Sequence, residues 1–165
     1  MKQFLTTVIL AFALTFGLAA GASAQAADTT EAIPVQLTVR GVGKSELIVY
    51  AQDNVVYVPV VELFTFLRLN ATYNAGSRMV EGFYISPDTK YIIDAANRTA
   101  SIRDRVVPLS TTDVLVRGND IYLRGELFEP LFGLQLSYFP RRLEIVLKTK
   151  ENLPIFLERA RELAR

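Results

Sequence analysis

The segment Gly41-Val42-Gly43-Lys44-Ser45 has the composition most suggestive of chemistry, because Gly-Lys-Ser closes the loops that cradle phosphates. That chemistry needs a glycine five positions before Gly43, where the chain has Thr38. It also needs a helix after Ser45 whose amides face the phosphate. Glu46 to Tyr50 alternates as a strand instead, so the glycines predict a hairpin turn and not a nucleotide site.

The chain contains no histidine and no cysteine. Ser-His-Asp and Cys-His nucleophiles are therefore excluded, together with the usual zinc and copper donor sets. Asp53, Asp88, Asp94, Asp104, Asp113 and Asp120 are dispersed singly, mostly in or beside turns, and read as solvated turn residues, not as a hard-cation cluster. A carboxylate pair can cleave a glycosidic bond without histidine. Glu62 and Glu126 are the pair to consider, although a glutamate beside the apolar face of a short helix is ordinarily a surface residue.

Aromatic residues are the remaining candidates for a binding surface. Most of the tyrosines and phenylalanines fall on alternating or helical apolar positions and are expected in a core. Tyr84, Tyr91 and Phe139 stand next to turns and are the expected partner-binding residues. No cofactor and no metal are expected.

The elements that must position these residues are short. Val35 to Val39 and Glu46 to Tyr50 read as strands, then Val55 to Val58, after which Pro59 opens a helix with Val61, Phe64, Leu67 and Leu69 along one face. Further strands are expected at Met79 to Ile85, Lys90 to Asp94, Thr99 to Ile102 and Val106 to Leu109. The second half echoes the first: Asn54-Val55-Val56-Tyr57-Val58 returns as Asn119-Asp120-Ile121-Tyr122-Leu123, and Glu62-Leu63-Phe64 as Glu126-Leu127-Phe128. The offset is 65, then 64, then 65 again at Met79-Val80 and Glu144-Ile145. The expected fold is α+β: two related strand-helix-strand repeats with short antiparallel strands and a C-terminal helix. Residues 34–150 form the duplicated domain. Residues 151–165 form an amphipathic helix, with Phe156, Leu157, Ala160, Leu163 and Ala164 on its apolar side.

Val56-Tyr57-Val58-Pro59-Val60-Val61-Glu62-Leu63, followed by Leu67, Leu69 and Tyr73, resembles the copper amine oxidase N-terminal-like domain of bacterial exported proteins. Ile121-Tyr122-Leu123-Arg124-Gly125-Glu126-Leu127 is a second copy, with Arg124 in place of the motif's proline; the first copy has Val61 where arginine is usual. Gly82-Phe83-Tyr84-Ile85-Ser86-Pro87-Asp88, with Asp94 and Leu153-Pro154-Ile155, is also similar to the module preceding the barrel in usher-like outer-membrane proteins. The resemblance implies a binding or assembly module of the envelope. It does not imply copper chemistry, whose histidine ligands are missing.

The address agrees with that implication. Lys2, the uncharged run Phe4 to Ala20 and the small residues Ala22-Ser23-Ala24 have the order of a cleavable secretory signal over residues 1–24. Residues 25–33 read as a flexible leader. Removing Lys2 with the signal leaves 17 basic residues (18 less one) against 17 acidic ones, so no field draws nucleic acid or an anionic membrane surface. The expected product is a periplasmic or extracellular, non-enzymatic module that contacts an envelope protein. Peptidoglycan or glycan binding is the alternative, and a carboxylate hydrolase the third reading.

Overall fold

The computed structural model describes residues 30–165, so the expected signal and residues 25–29 of the expected leader lie outside the described residues. The first strand, β1 (Glu31–Val39), begins inside that leader. Glu31 to Ile33 are strand because β2 (Gly43–Gln52) continues opposite them, pairing Glu31 with Ala51 and Ile33 with Val49. Pro34 is tolerated because the strand on the other side of β1 first pairs at Gln36. Gly41 and Gly43 take positive φ angles of 78° and 145° in the connecting turn, and Gly43 already starts β2.

Val35, Leu37 and Val39 alternate inward along β1, as do Leu47, Val49 and Ala51 along β2, and all are buried. After β3 (Val55–Pro59) the period changes to that of helix α1 (Val60–Phe66), which buries Val60, Leu63 and Phe64. The chain then builds a five-stranded antiparallel meander: β4 (Thr72–Asn74), β5 (Met79–Phe83), β6 (Lys90–Asp94), β7 (Thr99–Ile102) and β8 (Arg105–Pro108). It returns through β9 (Val114–Arg117) and β10 (Asp120–Arg124). A 3-10 turn (Gly125–Leu127), α2 (Phe128–Phe132), β11 (Leu134–Phe139) and β12 (Glu144–Thr149) follow. These strands join the first hairpin in a seven-stranded sheet of order β11-β12-β1-β2-β3-β10-β9.

The architecture is α+β. Two features differ from the expected short antiparallel strands: β1 and β2 run nine and ten residues, and β12 lies parallel to β1. Parallel pairing needs a long crossover, and here residues 40–143 separate the two strands. The inner faces of both sheets and the two short helices share one apolar cluster. At its centre Phe64 lies 5.4 Å from Tyr91 and 5.0 Å from Phe132, both edge to face, and Phe132 lies 5.4 Å from Tyr84. Each such pair adds roughly 0.5–1.5 kcal/mol beyond area burial.

Three hairpins use the same four-residue loop. Asn74 pairs with Met79, Asp94 with Thr99 and Phe139 with Glu144, and each loop ends in a left-handed residue: Arg78 (φ 54°), Arg98 (φ 54°) and Leu143 (φ 47°). Side-chain oxygens close the first two. Asn74 Oδ1 accepts from the Gly76 and Ser77 amides, and Asp94 Oδ1 from the Asn97 amide. Left-handed backbone also recurs at a fixed interval of 65 residues. Asp53 and Gly118 have φ 55° and 56°, Arg68 and Gly133 have 61° and 70°, and Arg78 and Leu143 have 54° and 47°.

The last helix, α3 (Pro154–Leu163), is anchored by buried Leu153 and Ile155 and by an ion pair of 2.8 Å between Arg68 and Glu158. From Leu157 onward it is exposed, so most of the apolar side expected of it faces solvent. Among the described residues no helix is long and apolar enough to cross a membrane.

Candidate functional site

The aromatic residues expected at the surface separate sharply. Tyr84 and Tyr91 are each only 1% exposed, which corrects their assignment as partner-binding residues. Their neighbouring turns do not carry them outward, because both rings point from the meander into the space between the sheets. Each hydroxyl reaches a backbone acceptor: Tyr84 donates to the carbonyl of Phe132, and Tyr91 to that of Asn70 at 2.7 Å. Burial pushes both phenols well above the ordinary tyrosine range. These are core tyrosines whose polar ends fasten the meander to α2 and to the segment after α1.

Phe139 is 39% exposed, as expected. It ends β11 at the tip of the last hairpin, with the Arg142 guanidinium 4.4 Å above its ring. Beside it lies a hollow of about 480 Å³ lined by Asn54, Phe139, Pro140, Arg141 and Arg142.

Glu62 and Glu126 follow two neighbouring strands of the large sheet. β3 and β10 are antiparallel, so the helices that follow them leave in opposite directions. Glu126 is exposed and lies 3.4 Å from Arg124. Glu62 is on α1, where partial burial and Asp120 hold its carboxyl above the usual range.

Asp120 departs from its reading as a solvated turn residue. It is 9% exposed at the head of β10, and its carboxylate takes the place of an N-cap for α1, which Pro59 cannot supply. Oδ1 accepts from the amides of Val61 (2.9 Å) and Ile121 (2.7 Å), and Oδ2 from that of Glu62 (3.1 Å). Desolvation outweighs these donors and raises the carboxyl above its ordinary value. The role is a clamp between the two halves of the chain. Asp94 and Asp113 each accept a backbone amide three residues away; Asp113 sits in a turn as expected, whereas Asp94 ends β6 and is as buried as Asp120. Among the described residues no group of three acidic side chains is placed to hold a metal.

Each sheet ends in strands bonded on one side only. In the smaller sheet these are β4, with three residues, and β8, which carries Arg105 and Pro108. Shortness, charge and proline are the ordinary protections of an edge. The larger sheet ends in β9 and β11. β9 has four residues, and its Arg117 guanidinium lies over Tyr50. β11 has six, Leu-Gln-Leu-Ser-Tyr-Phe, with neither charge nor proline inside it. It is the longest of the four edges and has neither charge nor proline, with the 3-10 turn Gly125–Leu127 packed beside it, and sequence reading did not single it out because edge position is a property of sheet order. No protein-family model matches this chain, and no curated protein or solved structure is significantly similar to it.

Proposed function

We propose that this chain is an exported, non-enzymatic module of the cell envelope that binds a protein partner by accepting an extended segment along β11. The observation that carries the reading is the six-residue edge strand without charge or proline, ending in exposed Phe139 and its adjoining hollow. Strand addition takes affinity from main-chain hydrogen bonds and specificity from a few side-chain pockets, and the hollow beside Phe139 is such a pocket. The secretory address rests on the order of charged, apolar and small residues over positions 1–24.

The module is built, in this reading, from two copies of one strand-helix-hairpin unit. Left-handed residues 65 apart fall at the turn before the strand, at the helix end and in the hairpin loop of each half. Buried pairs support the same offset through the helix: Val60 and Gly125, Leu63 and Phe128, Leu67 and Phe132, Leu69 and Leu134. Under this alignment the interval stays at 65 where sequence identity favours 64. The copies then diverged in use, the first hairpin starting the small sheet and the second closing the large one.

The test is site-specific photo-crosslinking in envelope extracts, with the crosslinker at Gln135, Ser137 or Phe139 and, as control, at Val106 on β8. Capture from the β11 positions of one defined protein, lost in Ser137→Lys with Phe139→Lys, is the expected result. Capture that is equal from Val106, or unaffected by the lysines, removes the reading.

A further inference from the structure

We infer that a hollow at the edge of β5, where β4 stops short of it in the five-stranded sheet, binds a neutral saccharide, a function beyond partner docking at β11. The hollow measures about 380 Å³ and is lined by Asn70, Thr72, Glu81, Phe83, Pro87 and Lys90, with further contributions from β5 and β6. That is near the lower end of the roughly 300–1,000 Å³ of small-molecule sites. Strand register assembles it. Thr72 of β4 stands opposite Glu81 of β5, and Phe83 of β5 opposite Lys90 of β6, so four outward side chains on three adjacent strands converge.

Two features of the walls go beyond an ordinary sheet surface. The first is at Gly82, where a Cβ would lie 2.2 Å from the carbonyl oxygen of Asn70. The missing side chain lets the segment after α1 settle onto β5 and brings the Asn70 amide to the rim. The second is the turn after β5. Ile85 has φ 63°, and the amide of Ser86 donates to the carbonyl of Tyr84 at 2.7 Å, forming a γ-turn of the rare positive-φ kind. A β-branched residue in that region is strained and persists only where its surroundings enforce it. Here they do: the Tyr84 amide donates to Thr89 at 2.7 Å, and the Tyr84 ring is locked in the core. The strained turn sets Phe83 and Pro87 along one side of the hollow.

The chemistry favours a neutral polyol. One carboxylate and one ammonium leave the hollow without net charge to draw an ion, and neither is paired with another described side chain. The Glu81 carboxylate, Asn70 amide and Thr72 hydroxyl present donors and acceptors suited to adjacent hydroxyls. Phe83, 36% exposed, and Pro87 offer apolar surface to the C–H face of a sugar ring.

Titration of the isotope-labelled protein with N,N′-diacetylchitobiose and with maltotriose, read by amide chemical shifts, tests this. The expected result is saturable shifts at Glu81, Gly82, Phe83 and Lys90 for at least one saccharide, with a dissociation constant of about 1 mM or tighter. Phe83→Ala and Glu81→Gln each weaken it at least about tenfold while both variants keep the cooperative unfolding transition, Glu81→Gln with its midpoint unchanged because that side chain is exposed. No saturation by about 10 mM with either saccharide, or equal binding by both variants, overturns the assignment. So does a stronger response to a zwitterionic tripeptide, which would make the Glu81 and Lys90 charges the recognised feature.

Discussion

Val58 and Leu123 face each other across the β3–β10 ladder, both fully buried, and stand 65 residues apart. The neighbouring pairs keep the same relation: Tyr57 faces Arg124 and Pro59 faces Tyr122, each partner lying one position either side of Leu123. An antiparallel pairing centred on two positions one interval apart is what a local two-fold axis produces, as between identical subunits. It supports the reading of the chain as a duplicated unit folded against itself.

If that contact joins the halves, Val58→Ala and Leu123→Ala each destabilise the whole fold, Leu123→Ala by about 2–5 kcal/mol. The double variant costs less or more than the sum by at least about 0.5 kcal/mol, because the side chains share one site. Urea unfolding of the four proteins measures the coupling.

Asp120→Ala leaves the amides of Val61, Glu62 and Ile121 without their acceptor and costs about 1–3 kcal/mol, with Asp120→Asn losing less. The pH dependence has a definite sign. Burial raises this carboxyl in the folded state, so the folded protein holds the proton more tightly than the unfolded chain. Its contribution is full below the ordinary value of about 3.9 and is lost as pH rises through the raised folded value. Denaturation midpoints taken upward from about pH 4 should therefore carry a downward component that Asp120→Asn removes. Glu62 shifts in the same direction, so the comparison is made in Glu62→Gln protein.

Tyr84→Phe removes the hydroxyl that reaches Phe132 and lowers stability by about 1 kcal/mol or more, since a buried carbonyl loses its donor. Phe139→Ala changes the unfolding midpoint little but weakens partner capture. Tyr84→Phe leaves capture intact. Paired melting and crosslinking measurements on these two variants separate a core tyrosine from a surface phenylalanine.

Gly82→Ala places a methyl group against backbone at Asn70, where no flexible side chain can yield. The cost should reach or exceed the top of the roughly 1–3 kcal/mol typical of overpacking. A melting curve indistinguishable from that of the parent protein would contradict the close approach on which the shape of the saccharide hollow depends.

Most of the elements are legible in local sequence patterns. Period-two alternation located β1, β2, β3 and β5 to β8 to within a few residues, with β6 and β7 matched at both ends, and the change of period after Pro59 located α1. Those signals are local, since each depends on neighbours two or four positions away. Composition likewise excluded nucleophile triads and histidine or cysteine metal sites without reference to any fold. What faces what depends on packing between distant segments. Tyr84 and Tyr91 looked exposed because they flank turns, yet the packing of the meander against α1 and α2 turned both inward. Asp120 looked like one more turn aspartate, and became a buried clamp because β10 pairs with β3 and brings it to the start of α1. The open edge at β11, and the meeting of Glu81, Phe83 and Lys90 with Asn70, likewise follow from strand order and register, which join residues far apart in the chain through contacts that no local pattern records.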